Sequence, residues 1–190
     1  ITAFQALAQN PPKNGIVLTG AGEHFTCGMD TKVAASLDKA GQIQAAAAID
    51  RFAAALHRLP CAVVVALNGN TIGAGGIMAL AADWIVAAQG NYKIGLPEAK
   101  AGLPFPPVPQ AILDHWLDPV WRRRLSLSSH LLTPVEALSA GLADELAAPD
   151  QLLDQAVVCA RELATQPGFK ACKRQLRAKA NAEIDAILKR

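Results

Sequence analysis

The sequence predicts one α/β domain of 190 residues. Its composition is that of a globular protein, with 52% hydrophobic and 18% charged residues. Short apolar runs of strand length alternate with longer stretches in which apolar residues recur at helical spacing, and this alternation favours an α/β core. The expected strands span residues 16–19, 62–67, 84–87 and 92–95, and the expected helices span 34–59, 108–117, 134–140, 151–164 and 169–188. The core is expected at about 1–145 and a helical C-terminal region at about 146–190.

The first expected strand leads into a turn that contains glycine. The strand at 16–19 is apolar, and Asp30 closes the turn at 20–30. Asp30 can cap a helix that begins near Thr31, because an aspartate at this position accepts the free backbone N–H groups of the first helical turn. By itself this segment indicates an ordinary helix cap.

A second glycine-rich turn, at residues 68–76, joins the strand at 62–67 to an apolar helix. Small residues let ligand atoms approach the backbone closely, and the first N–H groups of a helix are free to bind a negative oxygen. The turn is not a dinucleotide loop, because Met78 stands where the third glycine of G-x-G-x-x-G is required, and no Gly-Lys-Ser/Thr triplet follows for a phosphate loop. A tight turn with close packing is the alternative. Together, the two junctions can supply two backbone donors to one oxyanion hole.

Charge and cysteine content exclude several classes of protein. The net charge of +2 is too small to favour a nucleic-acid partner, and no apolar run is long enough to cross a membrane. Four cysteines without a C-x-x-C pair, together with the lack of a secretory signal pattern, favour reduced thiols in the cytoplasm. Four histidines without ligand spacing do not indicate a metal site.

Four segments in series resemble the signatures of the crotonase (enoyl-CoA hydratase/isomerase) superfamily. The first joins VLTGAG at 17–22 to FTCGMD at 25–30, and the second joins PCAVVVALNG at 60–69 to IGAGG at 72–76 and AADWIVA at 81–87. The third joins LPE at 96–98 to GL at 102–103, and the fourth joins EAL at 136–138 to GLAD at 141–144. One such motif is a weak signal, whereas four in order cover nearly the whole chain.

The resemblance implies the ClpP/crotonase fold, which is a spiral of ββα units with a helical C-terminal region. It also implies assembly as a homotrimer or homohexamer. In the family a pair of strands comes before the helix that we expect at residues 1–8, and the sequence shows no such pair. We therefore expect an N-terminus that is shortened relative to the family.

The resemblance assigns two backbone donors to the thioester oxygen of an acyl-CoA substrate. Charge develops on that oxygen when the thioester loses an α-proton, and the N–H groups of Met29 and Ala74 match the family's oxyanion donors. Ala74 departs from the family, in which glycine is common at the second position. Positive φ would cost alanine about 1 kcal/mol, so we predict helical or β-region φ at Ala74. Substrate contacts are expected from the adjoining residues Cys27, Gly28, Gly73 and Gly75.

Glu98 is the candidate for acid/base catalysis. Pro97 and Glu98 can simply begin a helix, because proline fits the first helical position and glutamate is favoured there by the helix dipole. The resemblance to the third signature implies instead that Glu98 is an acid/base glutamate. Apolar walls from Ile77, Leu96 and Leu103 are expected to raise its pKa and to suit it to proton transfer.

Ile77 is the main departure from the family pattern. Hydratases of the family hold the attacking water between two glutamates, and the first would fall at Ile77, which is expected here to line the substrate site. A single carboxylate suits Δ3-Δ2 enoyl-CoA isomerisation, in which Glu98 moves a proton from C2 to C4. The alternatives are a hydratase or acyl-CoA hydrolase that uses another acid, and a non-catalytic acyl-CoA-binding or scaffold protein. No cofactor is implied beyond coenzyme A as part of the substrate.

Further candidates for substrate binding come from the charged and aromatic residues. Lys32 and Lys173 match places where relatives put basic residues near the nucleotide of CoA, although either can be a solvated lysine. Phe105 lies in a segment that four prolines stiffen, and it can close the acyl pocket. Asp30 is a candidate contact as well as a helix cap. His57 is expected at the surface or at a helix end.

Overall fold

The chain alternates its strands between two sheets. The computed structural model describes residues 1–189, except for the side chains of Thr31, Ala34 and Ala35. From residue 16 onward, three successive units each place a first strand in one sheet and a second strand in the other, and then continue into helices. This repeat is the spiral of ββα units that the resemblance implies.

The strands are short, and helices occupy most of the chain between them. The first half contains α1 (Thr2–Gln9), β1 (Ile16–Thr19), β2 (His24–Thr26), α2 (Thr31–Ser36), α3 (Lys39–His57), β3 (Val63–Leu67), β4 (Asn70–Ile72), α4 (Ala74–Leu80), β5 (Trp84–Ala88) and β6 (Ile94–Gly95). The second half contains α5 (Glu98–Ala101), α6 (Pro107–Trp116), α7 (Pro119–Ser128), β7 (Leu131–Leu132), α8 (Pro134–Ala140), β8 (Glu145–Ala147), α9 (Leu152–Thr165), α10 (Phe169–Leu176) and α11 (Ala178–Leu188). Among the described residues, no helix combines the length and the apolar character needed to cross a membrane.

The first sheet has the strand order β1-β3-β5-β8, and each neighbouring pair is parallel. All five residues of β3 are buried. Val63, Val65 and Leu67 belong to the main core, whereas Val64 and Ala66 belong to a second apolar cluster that includes residues of α9. A strand that is covered on both faces requires an uninterrupted apolar run, which explains the sequence of β3.

The second sheet has the order β2-β4-β6-β7, and its pairs are parallel except for the antiparallel pair of β6 and β7. Thr26 at the end of β2 lies opposite Thr71 in β4, and Ile72 at the end of β4 lies opposite Gly95 in β6. Because parallel strands end at the same edge of a sheet, the segments that follow β2, β4 and β6 start close together. Apart from Lys173, the predicted site residues lie on these three segments.

A buried ion cluster ties the C-terminal helices to the core. Asp83 accepts Lys173 Nζ at 2.6 Å, Arg177 Nη2 at 2.7 Å and the Val63 N–H at 2.8 Å. Lys173 also donates to the carbonyl oxygen of Cys61 at 2.8 Å, and the residue is only 9% exposed. This placement corrects the expectation for Lys173, because its ammonium group is held inside its own chain and does not face a CoA phosphate or the solvent.

Several expected element boundaries are also corrected. The helix expected at 34–59 is divided into α2 and α3, because Asp38 interrupts it and caps α3 through a 2.7 Å hydrogen bond from the Gly41 N–H. The helix expected at 169–188 is divided at Arg177, whose side chain is buried in the ion cluster. The strand expected at 92–95 is reduced to β6. The elements β2, β4, β7, β8 and α7 were not expected, and all of these strands are shorter than four residues.

His57 lies at the end of α3, as expected, but it is fully buried instead of exposed. Its Nδ1 lies 3.1 Å from Oδ1 of Asn181 in α11. Burial, followed by the nearby charge of Arg177, lowers the pKa of His57 to about 3. The histidine is therefore a neutral packing residue between α3 and α11.

Candidate active site

The turns that follow β2 and β4 meet at Gly28 and Ala74. A Cβ on Gly28 would lie 2.8 Å from the Ile72 carbonyl oxygen and 3.5 Å from the Ala74 nitrogen, so a larger residue does not fit there without movement. Gly28 also has φ of +80°, which residues with side chains rarely adopt. A Cβ on Gly75 would lie 2.6 Å from Cγ2 of Thr26. Glycine at these two positions therefore allows the two turns to approach each other.

The junction presents the backbone N–H groups of Met29 and Ala74. Ala74 is the first residue of α4, so its N–H has no acceptor within the helix. In the described part of the chain, neither of these two N–H groups donates to a backbone carbonyl oxygen in a turn, loop or helix cap. Gly73 makes the turn into α4 with φ of +60°, and Ala74 itself does not have a positive φ. The prediction for the backbone of Ala74 is confirmed.

The carboxyl group of Glu98 lies against Gly73 at the same junction. Oε1 lies 3.3 Å from the position that a Cβ on Gly73 would occupy. The Gly73 N–H donates to the Gly95 carbonyl oxygen at 2.9 Å, which holds β4 beside the segment that leads to Glu98. The Glu98 Oε2 atom is buried and has no hydrogen-bond partner among the described residues. An unpartnered carboxylate oxygen in a buried place is uncommon and indicates a group that awaits a ligand or a proton.

Burial raises the pKa of Glu98 from its ordinary value of 4.5 to about 7, and a hydrogen bond from its own backbone N–H partly opposes this effect. Of the three apolar walls that the sequence predicts, Leu96 is fully buried and Ile77 is 3% exposed. Leu103 is 42% exposed, and its contribution to the burial of Glu98 stays a prediction. A carboxyl group with a pKa near 7 can take up and release a proton at neutral pH.

An apolar cavity of about 310 Å³ lies between α3 and α4 and reaches Ala74 at the junction. Its lining contains no polar side chain and consists of Ile1, Ala48, Ile49, Phe52, Ala53, Ala74, Ile77 and Met78. Ala74 and Ile77 therefore contribute both to the cavity and to the first turn of α4. The cavity can hold an aliphatic group whose polar end lies at the Ala74 N–H.

The remaining candidates lie around this centre. Asp30 Oδ1 accepts the N–H groups of Lys32 at 2.8 Å and Val33 at 3.3 Å, so the predicted helix cap is confirmed. Cys27 and Lys32 are exposed nearby. Phe105 is half-buried against the main core and does not line the cavity. Substrate contacts of these residues stay predictions.

The wall that α3 contributes to the cavity was missed in the sequence. Ala48 and Ile49 precede Phe52 by four and three residues, which places both beside Phe52 on one helical face. That spacing is visible in the sequence, but it is equally typical of any helix that packs on a core. Among the described residues, no group of three or more His, Cys, Asp or Glu side chains is arranged to hold a metal ion.

The sequence model of one protein family, Enoyl-CoA hydratase/isomerase, matches the chain from residue 1 to residue 189. The chain belongs to this family. The resemblance that the four sequence signatures indicate is therefore confirmed.

Individual relatives agree with this assignment. The chain is 32% identical over 188 residues to the probable enoyl-CoA hydratase echA17 of Mycobacterium avium (strain 104), which covers 98% of this chain and 70% of that protein. It is 32% identical over 166 residues to the carnitinyl-CoA dehydratase of Salmonella arizonae, which covers 85% of this chain and 61% of that protein. The chain thus spans about two thirds of the length of these curated relatives.

The fold agrees as well. The crystal structure of the enoyl-CoA hydratase EchA3 from Mycobacterium ulcerans Agy99 superposes with a TM-score of 0.89 at 26% identity, over 99% of this chain and 82% of that one. The apo structure of the enoyl-CoA isomerase of Mycobacterium tuberculosis superposes with a TM-score of 0.87 at 26% identity, over 99% of this chain and 82% of that one. The predicted crotonase-like α/β fold with a helical C-terminal region is confirmed.

Proposed function

We propose that the protein is an acyl-CoA enzyme that isomerises 3-enoyl-CoA thioesters to 2-enoyl-CoA thioesters. The observation that carries this proposal is the buried carboxyl group of Glu98 at the junction, together with an isoleucine at position 77. Isomerisation requires one group that accepts a proton from C2 and returns it at C4. A hydratase of this family would require a second carboxylate at position 77 to hold the attacking water.

In the proposed reaction, the thioester oxygen lies between the N–H groups of Met29 and Ala74. Removal of the C2 proton by Glu98 produces a dienolate whose negative charge is shared between that oxygen and the carbon chain. The two N–H groups stabilise the charge where it develops, and each such donor typically contributes about 3 kcal/mol to the lowering of the barrier. Glu98 then delivers the same proton to C4, so the enzyme returns to its starting state and needs no cofactor other than the coenzyme A of the substrate.

The pKa of Glu98 supports this role. A general base is most effective when its pKa lies near the working pH, because it is then both available in the ionised form and basic enough to accept a proton. Burial raises the pKa of Glu98 to about 7, so a substantial fraction of the carboxyl groups is ionised at neutral pH. The acid that forms after C2 deprotonation is in turn strong enough to protonate C4.

The cavity supports an aliphatic acyl group as the tail of the substrate. Its lining is apolar, and it begins at the residue that we propose as the second oxyanion donor. Lys32 is exposed at the start of α2 and is our proposed contact for the nucleotide part of CoA. We also propose that Phe105, Cys27 and Asp30 contact the substrate.

We also propose a homotrimer or homohexamer in the cytoplasm. Leu127 and Val135 are 76% and 64% exposed, and apolar side chains at such positions are candidates for a subunit interface. All four cysteines are unpaired, which accords with a reducing compartment. Light scattering after size-exclusion chromatography measures the assembly directly.

The decisive experiment offers 3-enoyl-CoA and 2-enoyl-CoA in parallel to the wild type, to Glu98→Gln and to the control Glu183→Gln. Glu183 is exposed in α11, so the control removes one carboxylate far from the junction. We expect the wild type and the control to isomerise 3-enoyl-CoA, and Glu98→Gln to lose about 10²- to 10⁴-fold in kcat.

The other outcomes each contradict the proposal in a distinct way. Hydration of 2-enoyl-CoA, or hydrolysis of the thioester, that survives Glu98→Gln would indicate a hydratase or hydrolase with another acid. CoA binding without turnover of either substrate would indicate a non-catalytic acyl-CoA-binding or scaffold protein.

A further inference from the structure

The helix that carries Glu98 has no cap of its own. α5 contains only four residues, and its first N–H groups have no backbone acceptors within the helix. A side chain at the N-cap position usually supplies such an acceptor, but the N-cap is Pro97, whose side chain cannot form a hydrogen bond. Instead, the Lys100 N–H donates to Oγ of Ser129 at 3.1 Å. The cap of α5 therefore comes from a residue 29 positions later in the chain.

Ser129 has a backbone conformation that serine rarely adopts. It ends α7 with φ of 54° and ψ of 30°, in the left-handed region, and within residues 1–189 no other non-glycine residue has positive φ. α5 and α8 end in the same conformation with glycines, Gly102 and Gly141. Glycine adopts this conformation without strain, whereas serine does not. Compared with glycine, serine adds the hydroxyl group that caps α5.

We propose that Ser129 is a positioning residue for Glu98. The proposal rests on the function proposed above for Glu98 as the proton carrier. α5 and α7 pack against each other, and the hydrogen bond from Lys100 fixes the first turn of α5, in which Glu98 is the first residue. With this turn fixed, the carboxyl group is held against Gly73 and away from solvent. Without the hydrogen bond, the turn frays, the carboxyl group turns away from the junction and water reaches it.

The variant Ser129→Gly separates positioning from folding, because it relieves the strained backbone and removes the hydroxyl group at the same time. We expect its unfolding midpoint to be unchanged or higher, while kcat falls about threefold to tenfold, the loss expected for one hydrogen bond. KM should stay within about twofold of wild type, since the CoA contacts are not altered. The pKa of Glu98 should fall toward its ordinary value, because fraying returns the carboxyl group to water.

Two further variants provide the comparison. Ser129→Asn keeps an acceptor oxygen and tolerates the left-handed conformation, so it should restore at least part of the kcat that Ser129→Gly loses. Ser128→Ala is the matched control: Ser128 Oγ accepts the His130 N–H at 3.2 Å in the same turn and, among the described residues, makes no hydrogen bond to α5. Because the hydrogen bond between Lys100 and Ser129 stays intact, this control should leave both kcat and the pKa of Glu98 unchanged.

The pKa of Glu98 is measured without substrate, from the pH dependence of the ¹³C carboxyl signals of labelled glutamate, assigned by comparison with Glu98→Gln. If kcat and this pKa in Ser129→Gly both match wild type, the proposal is overturned, whatever the change in stability. If the wild type does not isomerise 3-enoyl-CoA, the proposed function is wrong. A lowered pKa of Glu98 in Ser129→Gly would still show in that case that Ser129 positions the carboxyl group.

Discussion

The two ends of helix α4 differ in whether their backbone polar groups are paired. At the N-terminal end, the Ala74 N–H has no backbone acceptor in the described part of the chain. At the C-terminal end, Arg177 donates to the carbonyl oxygens of Ala81 at 3.1 Å and of Ala82 at 2.6 Å. The same guanidinium group donates to Asp83 Oδ1 at 2.7 Å, so this end of the helix is closed by a buried ion cluster.

The N-terminal end of α4 belongs to the proposed site, and the C-terminal end supports it. Buried polar groups in folded proteins are nearly always paired, so the closed end of α4 is the ordinary arrangement and the open end is the exception. An open end near an apolar cavity and a buried carboxyl group is suited to bind a ligand oxygen. The closed end holds α4 in place through Arg177, which lies between α10 and α11, so the open end does not need a cap to keep its position.

The largest expected effect comes from opening the closed end with Arg177→Met. This change leaves the carbonyl oxygens at the end of α4 without a donor and Asp83 with one cation fewer. Breaking a buried ion pair in this way typically costs about 3–5 kcal/mol, and urea unfolding should show a loss of that size. The control is Arg174→Met, because Arg174 is exposed in α10. Equal stabilities of the two variants would contradict the supporting role of Arg177.

A smaller expected effect, on catalysis, comes from obstructing the open end with Gly28→Ala. The new methyl group would lie 2.8 Å from the Ile72 carbonyl oxygen, so the turn must shift and displace the adjoining Met29 N–H. Loss of one oxyanion donor typically lowers kcat by about 10²- to 10³-fold, and steady-state kinetics with 3-enoyl-CoA measures the change.

The matched control for that variant is Gly22→Ala. Gly22 has φ of +74°, close to the +80° of Gly28, but a Cβ there meets no atom within 4 Å. Both variants therefore carry the same backbone strain, and only Gly28→Ala moves the junction. A comparable loss of kcat in both variants would mean that strain, and not the position of the Met29 N–H, accounts for the effect.

The open end was largely predictable from the sequence, and the closed end was not. The glycines at 28, 73 and 75 and the glutamate at 98 lie in local motifs, because a turn that brings backbone N–H groups to a ligand needs small residues at fixed positions. The long strands β1, β3 and β5 were predicted for a similar reason, since a buried parallel strand is a continuous apolar run.

The partners of the closed end are far apart in the chain. Asp83 and Arg177 are separated by 94 positions. The two residues that form the cap of α5, Lys100 and Ser129, are likewise separated by 29. No local pattern distinguishes a buried lysine or arginine from a solvated one, which is why Lys173 was expected at a phosphate. His57 was misplaced for the same reason, because its burial depends on α11, which packs on α3 from the other end of the sequence.

The smallest expected effect is a pH dependence of folding stability, caused by the burial of Glu98 at the open end. Burial raises the pKa of Glu98 to about 7 from 4.5, so the folded protein binds this proton more tightly than the unfolded chain does. The stability that this proton contributes is complete below about pH 4.5 and is lost as the pH rises through about 7. Glu98→Gln keeps a neutral side chain at every pH, so its advantage in unfolding free energy over wild type should grow from pH 5 to pH 8. The control Glu183→Gln should show no such change, and an advantage of Glu98→Gln that does not vary with pH would mean that Glu98 is solvated and that the open end of α4 is not a desolvated site.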